Sequence, residues 1–260
     1  MRIPYGGVAF FDSGIGGITV FAECRKRIKD EIFYYYGDNV HAPYGNRSAE
    51  EIYSYVDAAF ARFRRLRVKG VVLACNTATA VCVERLRAKY DFPIIGTEPA
   101  VLPAAKLGGE VLVLATKATT QSERFQGLCR LATLRYPNAR LSIVACPDLA
   151  GAIENNILTG RHDFSQYLPA ASPNAIVLGC THYIYIKDVV ARHYNCPVFD
   201  GNEGIAKRLA FTLRQAKKDD FSINGRDGQP LVTTARPPQN CFLGSEKKRN
   251  LLVFEHMFAK

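Results

Sequence analysis

Two cysteines stand in matched surroundings. Cys75 closes the apolar run Val71-Val72-Leu73-Ala74 and is followed by Asn76 and Thr77, while Cys180 closes Ile176-Val177-Leu178-Gly179 and is followed by Thr181 and His182. Such a run reads as a buried strand, and the polar residues after it as the start of a helix. Each sulfur would then face the positive end of a helix, which favours the thiolate. The hydroxyl, amide and imidazole groups beside each sulfur can bind a carboxylate. A lone cysteine behind a strand is more often a small buried hydrophobe. Two in the same setting, with the remaining cysteines lacking that company, point to chemistry.

A pair of thiols suits inversion at a carbon that bears a weakly acidic proton. One base removes the proton from one face, and an opposed acid returns one to the other. A single group that cannot cross the substrate plane is insufficient. With an unperturbed pKa of about 8.5, one thiol can be anionic while its partner holds a proton. No electron-accepting cofactor is evident, so positioning, desolvation and polar contacts must stabilise the carbanion. Asp12 adds a carboxylate at the end of the apolar run Val8–Phe11, just before Ser13-Gly14-Ile15-Gly16-Gly17. A strand, a glycine-rich bend and a helix expose backbone N–H groups, and an anion is a reasonable occupant. The bend lacks the full dinucleotide-binding context and the Gly-Lys-Ser/Thr ending of a phosphate loop. Taken alone, Asp12 would more often cap a helix or orient a loop.

The elements that must position these groups alternate between short β-branched or aromatic strands and longer amphipathic helices, which predicts a mostly parallel, helix-covered α/β fold. Strands are expected at Val8–Phe11, Ile32–Tyr36, Val71–Ala74, Ile94–Ile95, Val111–Ala115, Leu141–Val144, Ile176–Leu178, Val198–Phe199 and Leu231–Thr233. Helices should begin near Gly17, Ser48, Ala78, Thr120, Tyr183 and Gly204. The chain also echoes itself. The block 70–77 resembles 175–182, Tyr90-Asp91-Phe92-Pro93-Ile94-Ile95 resembles Tyr194-Asn195-Cys196-Pro197-Val198-Phe199, and Gly6-Gly7-Val8 resembles Gly108-Gly109-Glu110 less clearly. The offset is nearly constant, which predicts two similar α/β units, each placing one cysteine beyond a strand. Repeated strand and helix spacings in any parallel α/β protein are the competing explanation. The boundaries expected are residues 1–98 plus 205–260 for the first domain, with a C-terminal return, and 99–204 for the second. The active site is expected between them. Asp219–Pro230 reads as the most loop-like region.

A chain of 260 residues, 48% hydrophobic, is long enough for one large domain or two lobes. No run of apolar residues reaches membrane-spanning length, and the N-terminus does not read as a secretory signal, so the expected location is cytoplasmic. The eight cysteines lie in strand-like or helical contexts and read as reduced, without zinc-finger spacing. A formal net charge of +10 raises nucleic-acid or membrane binding as a function class. Its densest run, Arg62 to Lys69, ends a helix, where cations are favoured anyway. No RNA-binding aromatic motif accompanies it, and neither nucleic acid nor a membrane is expected as a partner.

Taken in order, FDSGIGGITV at 11–20, YYGDNVHAPYG at 35–45, VVLACNTATA at 71–80, PIIGTEPA at 93–100, LATKATTQSERF at 114–125 and IVLGCTHY at 176–183 resemble the bacterial glutamate racemase family over nearly the whole chain. The resemblance implies two α/β domains with L-glutamate or D-glutamate between them, no cofactor, neither pyridoxal phosphate nor metal, a homodimer, and supply of D-glutamate for peptidoglycan. It makes Cys75 the base toward D-glutamate and Cys180 the base toward L-glutamate. Asp12 would assist the first or meet the substrate ammonium, and His182 would assist the second. Ser13, Asn76, Thr77 and Thr181 would hold polar substrate groups, chiefly the α-carboxylate. Tyr44 and Gly45 would offer backbone donors to the side-chain carboxylate, with Thr119 and Glu154 in the remaining wall. Three departures touch loop geometry. Ile184 stands where relatives commonly have proline, the block Ala145–Glu154 matches better at its end than in its middle, and Asp200-Gly201 replaces an aspartate–serine pair.

Competing readings remain. An aspartate or other amino-acid racemase of the same superfamily would need the groups around Tyr44, Gly45 and Thr119 closer to the reacting carbon, whereas the PYG, GTEPA and GCTHY set favours glutamate. A binding or regulatory protein on a retained racemase scaffold belongs to another class, and intact Cys75, Cys180, Asp12 and His182 weigh against it. A nicotinamide enzyme lacks a clear ribose-binding acid. Covalent acyl chemistry at a thiol leaves the second cysteine unexplained, and phosphatase chemistry through Asp12 lacks the rest of a metal and phosphate framework.

Overall fold

The computed structural model describes residues 6–159, 162–222 and 240–258. Its strands form two sheets, and every pairing among the described residues is parallel. The first contains β1 (Val8–Asp12), β2 (Phe33–Gly37), β3 (Gly70–Leu73), β4 (Ile94–Gly96) and β9 (Asn240–Gly244) in the order β4-β3-β1-β2-β9. The second contains β5 (Gly109–Ala115), β6 (Ala139–Ala145), β7 (Ala175–Gly179) and β8 (Val198–Phe199) in the order β6-β5-β7-β8. Read from its β8 edge, the second order is β8-β7-β5-β6, the counterpart of β4-β3-β1-β2. The internal echo therefore falls on topologically equivalent strands. Gly6-Gly7 and Gly108-Gly109 lead into β1 and β5 with φ of 81°, 85°, 72° and 74°, a left-handed entry that side chains with a Cβ disfavour.

The strands are apolar throughout because both faces are covered. In β1, Ala9 and Phe11 enter one core with α2 (Ala49–Arg65) and α3 (Asn76–Lys89), while Val8 and Phe10 enter the other with α1 (Ile18–Arg27), α9 (Asn202–Ser222) and α10 (Lys247–Phe258). This is the two-residue alternation of an extended chain. In the second sheet Leu112, Leu114, Ile176 and Leu178 pack toward α7 (Leu149–Asn156) and α8 (Lys187–Tyr194). Val111, Val113, Ala175 and Val177 face α4 (Val101–Ala105) and α6 (Glu123–Arg135), with α5 (Lys117–Gln121) between β5 and α6. Ser48 and Glu51 close a reciprocal capping box at the start of α2, fixing where that helix begins.

Most expected strands appear within a residue or two of their expected bounds. The strand expected at Leu231–Thr233 lies outside the described residues. α9 continues to Ser222, past Asp219, where a loop was expected. Periodicity missed α4 and α7, which are short, and β9, whose five residues Asn-Cys-Phe-Leu-Gly have too little alternation to announce a strand. β9 is set by its partner, pairing Phe33–Gly37 with Asn240–Gly244. The helix expected near Tyr183 begins instead as a 3₁₀ turn, Thr181–Ile186, before α8. Ile184 packs against the adjoining core there. At Gly201 an added Cβ would come within 2.8 Å of the Glu98 carbonyl oxygen, which is why the serine of the usual pair would not fit this backbone.

Candidate active site

The carboxyl-terminal ends of β1, β3 and β7 deliver the first chemical groups. Registers pair Phe11 with Leu73 in the first sheet and Ala115 with Gly179 in the second, so Asp12, Cys75 and Cys180 each leave their sheet at the edge where α/β sites form. Cys75 is the N-cap of α3, and its Sγ accepts the Ala78 N–H at 3.4 Å. The helix thus starts at Asn76, ahead of the expected Ala78. The thiol also donates toward Ser13 Oγ at 3.6 Å.

Burial changes the electrostatics anticipated for this cysteine. Desolvation and then the charge of Asp12 push the Cys75 pKa up, and the Ala78 N–H and the Ser13 hydroxyl do not compensate. The helix terminus, expected to favour the thiolate, is the weaker effect, and the balance holds Cys75 toward its thiol form. Asp12 is itself fully buried, and its pKa is raised by that burial against the opposing influence of His182 and the Gly14 and Gly17 N–H groups. Its Oδ1 accepts the Gly14 N–H at 2.9 Å, and its Oδ2 accepts the Thr181 hydroxyl at 3.1 Å.

The Cys180 side is built differently. His182 Nδ1 lies 3.8 Å from Cys180 Sγ, and Nε2 lies 2.5 Å from Glu154 Oε2. Glu154, on α7, also accepts the Ile15 N–H at 3.1 Å, the Asn39 amide at 3.1 Å and Arg249 Nη1 at 3.3 Å. Burial opposes the charge on His182, but hydrogen bonds to Cys180 and Glu154 overcome it and hold the imidazole well above its usual pKa. Burial also opposes the charge on Glu154, yet His182, Ile15 and Arg249 keep that carboxylate below its ordinary range. His182 thus has one ring nitrogen toward Glu154 and the other toward Cys180, in surroundings that favour its protonated form. One thiol has a carboxylate and a hydroxyl beside it, the other an imidazole held toward its cationic form.

The glycine-rich bend has a different occupant from a bound phosphate. A Cβ on Gly14 would lie 2.5 Å from Glu154 Oε2, and one on Gly16 would lie 2.5 Å from Thr181 Oγ1 and 2.6 Å from His182 Nδ1. The glycines let the loop after β1 press against α7 and the 181–182 turn, and the protein's own carboxylates take the Gly14 and Ile15 N–H groups. A chain of hydroxyls makes a second junction. Thr77 Oγ1 lies 2.9 Å from Thr116 Oγ1, which donates to Thr119 Oγ1 at 2.9 Å.

Cys75 with Ser13, Asp12 with Thr181, Cys180 with His182 and Glu154, and Thr77 with Thr116 thus form four buried hydrogen-bonded groups, and the Asp12–Thr181 and Ile15–Glu154 bonds tie the loop after β1 to the second sheet's side. Thr119 joins through Thr116, and a Cβ on Gly45 would lie 3.2 Å from Thr116 Cβ. Two side chains are engaged elsewhere: the Asn76 amide donates to the Thr97 carbonyl at 3.5 Å, and the Tyr44 phenol donates to Asp38 at 2.6 Å. Asp38, Asn39, Thr116 and Arg249 were not singled out from sequence. Asp38 and Asn39 stand inside YYGDNVHAPYG just beyond β2, the same sheet edge as Asp12, and that position was the available signal. Arg249 had none. Among the described residues no group of three or more His, Cys, Asp or Glu is arranged to hold a metal ion. No described helix is long and apolar enough to cross a membrane.

Two parallel sheets, with cysteine, carboxylate and histidine side chains gathered just beyond the carboxyl-terminal ends of their strands, define a two-sheet α/β class of protein. Residues 19–209 match the model of the Asp/Glu/Hydantoin racemase family, and the chain belongs to that family. It is 36% identical over 256 residues to a glutamate racemase of Clostridium botulinum strain Hall, covering 94% of this chain and 97% of that one. The structure resembles that of Escherichia coli glutamate racemase, solved with L-glutamate and the activator UDP-MurNAc-Ala, with 26% identity, a TM-score of 0.76, and coverage of 98% of this chain and 96% of that one. A Bacillus anthracis glutamate racemase is also similar, at 25% identity and a TM-score of 0.73, over 97% and 92% of the two chains.

Proposed function

We propose that this chain interconverts L-glutamate and D-glutamate by direct proton transfer between Cys75 and Cys180, without a cofactor. The observation that carries the reading is the pair of thiols at equivalent strand ends, each with its own polar company, in two loops that the Asp12–Thr181 hydrogen bond holds together. With D-glutamate bound, the Cys75 thiolate takes the α-proton and the Cys180 thiol delivers one to the opposite face. L-Glutamate reverses the roles. Each turnover leaves the two sulfurs with exchanged protonation, and no atom of the substrate is lost.

Because burial and Asp12 hold Cys75 protonated at rest, D-glutamate must help it ionise. The substrate ammonium, placed near Asp12, supplies the compensating charge, and exclusion of water then strengthens each electrostatic contact. On the other side His182 supplies a resident cation. In this reading Ser13 donates its free hydroxyl hydrogen to the α-carboxylate, Thr77 and Thr181 join it by turning their hydroxyls from Thr116 and Asp12 to the substrate, and the backbone at Tyr44 and Gly45, beside Thr116 and Thr119, receives the side-chain carboxylate. Substrate lies between domains formed by residues 1–98 with 205–260 and by residues 99–204. The separate sheets support that division. The buried site requires these domains to part for entry. The same reading makes the protein a cytoplasmic homodimer supplying D-glutamate for peptidoglycan.

The test is incubation of the purified, reduced protein in D₂O with each enantiomer of glutamate and of aspartate, without added cofactor. Enantiomer conversion with α-deuteration for glutamate alone is expected. Conversion of aspartate at an equal or greater rate would transfer the assignment to the shorter substrate, and inertness toward all four would overturn it.

A further inference from the structure

We infer that Arg249, on the C-terminal helix α10, is a positioning residue for the Cys180 half of the site, gripping Glu154 so that His182 keeps its Nδ1 directed at Cys180. The inference rests on the racemase reading and adds to it a contribution from a helix remote in sequence from both cysteines.

The geometry is a two-point hold. Arg249 Nη1 lies 3.3 Å from Glu154 Oε1, and Nη2 donates to the backbone carbonyl of the same Glu154. One guanidinium thus fixes both the carboxylate and the backbone of α7 that carries it, which a planar fork achieves and a single ammonium does not. The two carboxylate oxygens are divided between partners. Oε1 faces Arg249 and Asn39, while Oε2 faces His182 and the Ile15 N–H. α10 supplies a further support, because Asn250 Nδ2 donates to Asn39 Oδ1 at 2.9 Å. Together these contacts make a continuous path from α10 through Glu154 to His182 and then to Cys180 Sγ. Among the described residues no corresponding side-chain path runs from Arg249 to Cys75, which accepts the Ala78 N–H and donates to the Ser13 hydroxyl.

Arg249 also pairs with Glu246, in the turn just before α10, at 3.2 Å. A purely structural role in anchoring α10 would weaken both halves of the reaction alike. Positioning His182 weakens one. If proton transfer at Cys180 is slowed, that step limits the rate more fully when the reaction starts from L-glutamate, and abstraction at Cys75 limits it less when the reaction starts from D-glutamate.

The experiment compares wild type, Arg249→Gln and Arg249→Lys, using glutamate carrying hydrogen or deuterium at the α carbon in ordinary water. Thermal melts of each variant monitor folding. Arg249→Gln is expected to lower kcat by roughly tenfold to a hundredfold, the scale of a small misplacement of a reacting group. The deuterium effect on kcat/KM should rise from L-glutamate and fall from D-glutamate. Arg249→Lys, which retains charge but not the fork, should shift both effects in the same directions by less, and it carries the test if the glutamine variant does not fold. Isotope effects unchanged in both directions, or changed equally, overturn the inference. A wild-type protein inert toward glutamate overturns the racemase reading instead, so the two failures are distinguishable.

Discussion

His182 Nε2 stands 2.5 Å from Glu154 Oε2, with both side chains buried and with Arg249 on the far side of the carboxylate. The contact ties the folding stability to pH in a defined sense. The His182 pKa is raised from 6.5, so its contribution is complete below 6.5 and declines as pH climbs through the elevated value. The Glu154 pKa is lowered from 4.5, so its contribution is complete above 4.5 and declines as pH falls through the depressed value.

Glu154→Gln removes the anion while leaving two cations with less compensation. Breaking one side of a buried pair costs about 3–5 kcal/mol. The difference in unfolding free energy between wild type and variant should be largest between pH 4.5 and 6.5 and should shrink on both sides of that window. Urea titrations across the range measure it. A difference that does not vary with pH would show that the pair is not ionised as described.

Gly16→Ala tests the close approach of the glycine-rich bend. The new Cβ would lie 2.6 Å from His182 Nδ1 and 2.8 Å from the His182 backbone N, and the backbone cannot swing away as the end of a flexible side chain could. Forcing an extra carbon into such a contact costs about 1–3 kcal/mol. The racemisation rate should fall more than stability does, since the displaced atom is the one that serves Cys180. Thermal melts and initial rates on the same sample separate the two, and a variant of parental activity would contradict the packing.

The contrast between the two glycine contexts marks what was legible in the chain. Cys75 and Cys180 could be read because uninterrupted apolar runs end at them, and burial on both sheet faces leaves that signature. Gly14 and Gly16 could be read as a bend, but its occupant could not, because Glu154 comes from a helix that periodicity missed and lies far along the chain. Glu154 itself was reached only through the family resemblance. Arg249 and Asn250 were out of reach for the same reason: their contacts with Glu154 and Asn39 are made by tertiary folding, which no local pattern encodes. The helix-terminus stabilisation expected at Cys75 is outweighed in magnitude. A helix terminus and a hydroxyl were legible beside it, whereas complete burial next to Asp12 was not.

Thr181→Val examines the bond that joins the halves. Valine keeps the branched shape but removes the donor to Asp12 Oδ2, leaving the Gly14 N–H on the other oxygen. Loss of a hydrogen bond to a charged group costs about 1.5–3 kcal/mol, and Thr181→Ser should recover most of it. Without that donor the Asp12 pKa should climb further, making the carboxylate less effective toward a substrate ammonium. KM for glutamate should therefore rise in Thr181→Val and remain nearer the parental value in Thr181→Ser. Equal kinetics for valine and serine would remove the hydroxyl from the account.

Cys75→Ser and Cys180→Ser test the two-thiol mechanism directly. A hydroxyl approximates the size of a thiol but is a far poorer base near neutral pH, so each variant should nearly abolish racemisation while melting close to the parent. The double variant should be little worse than either single one, because both groups serve one reaction. The single variants should nevertheless differ in hydrogen exchange. In D₂O, Cys180→Ser retains the base that meets D-glutamate and should exchange its α-hydrogen faster than it forms L-glutamate. Cys75→Ser should show the same excess with L-glutamate, and there the imidazolium of His182 still stands beside the working sulfur. Proton NMR follows exchange, and chiral chromatography follows inversion. Parental racemisation by either folded variant would end the assignment of that cysteine as a catalytic acid–base group.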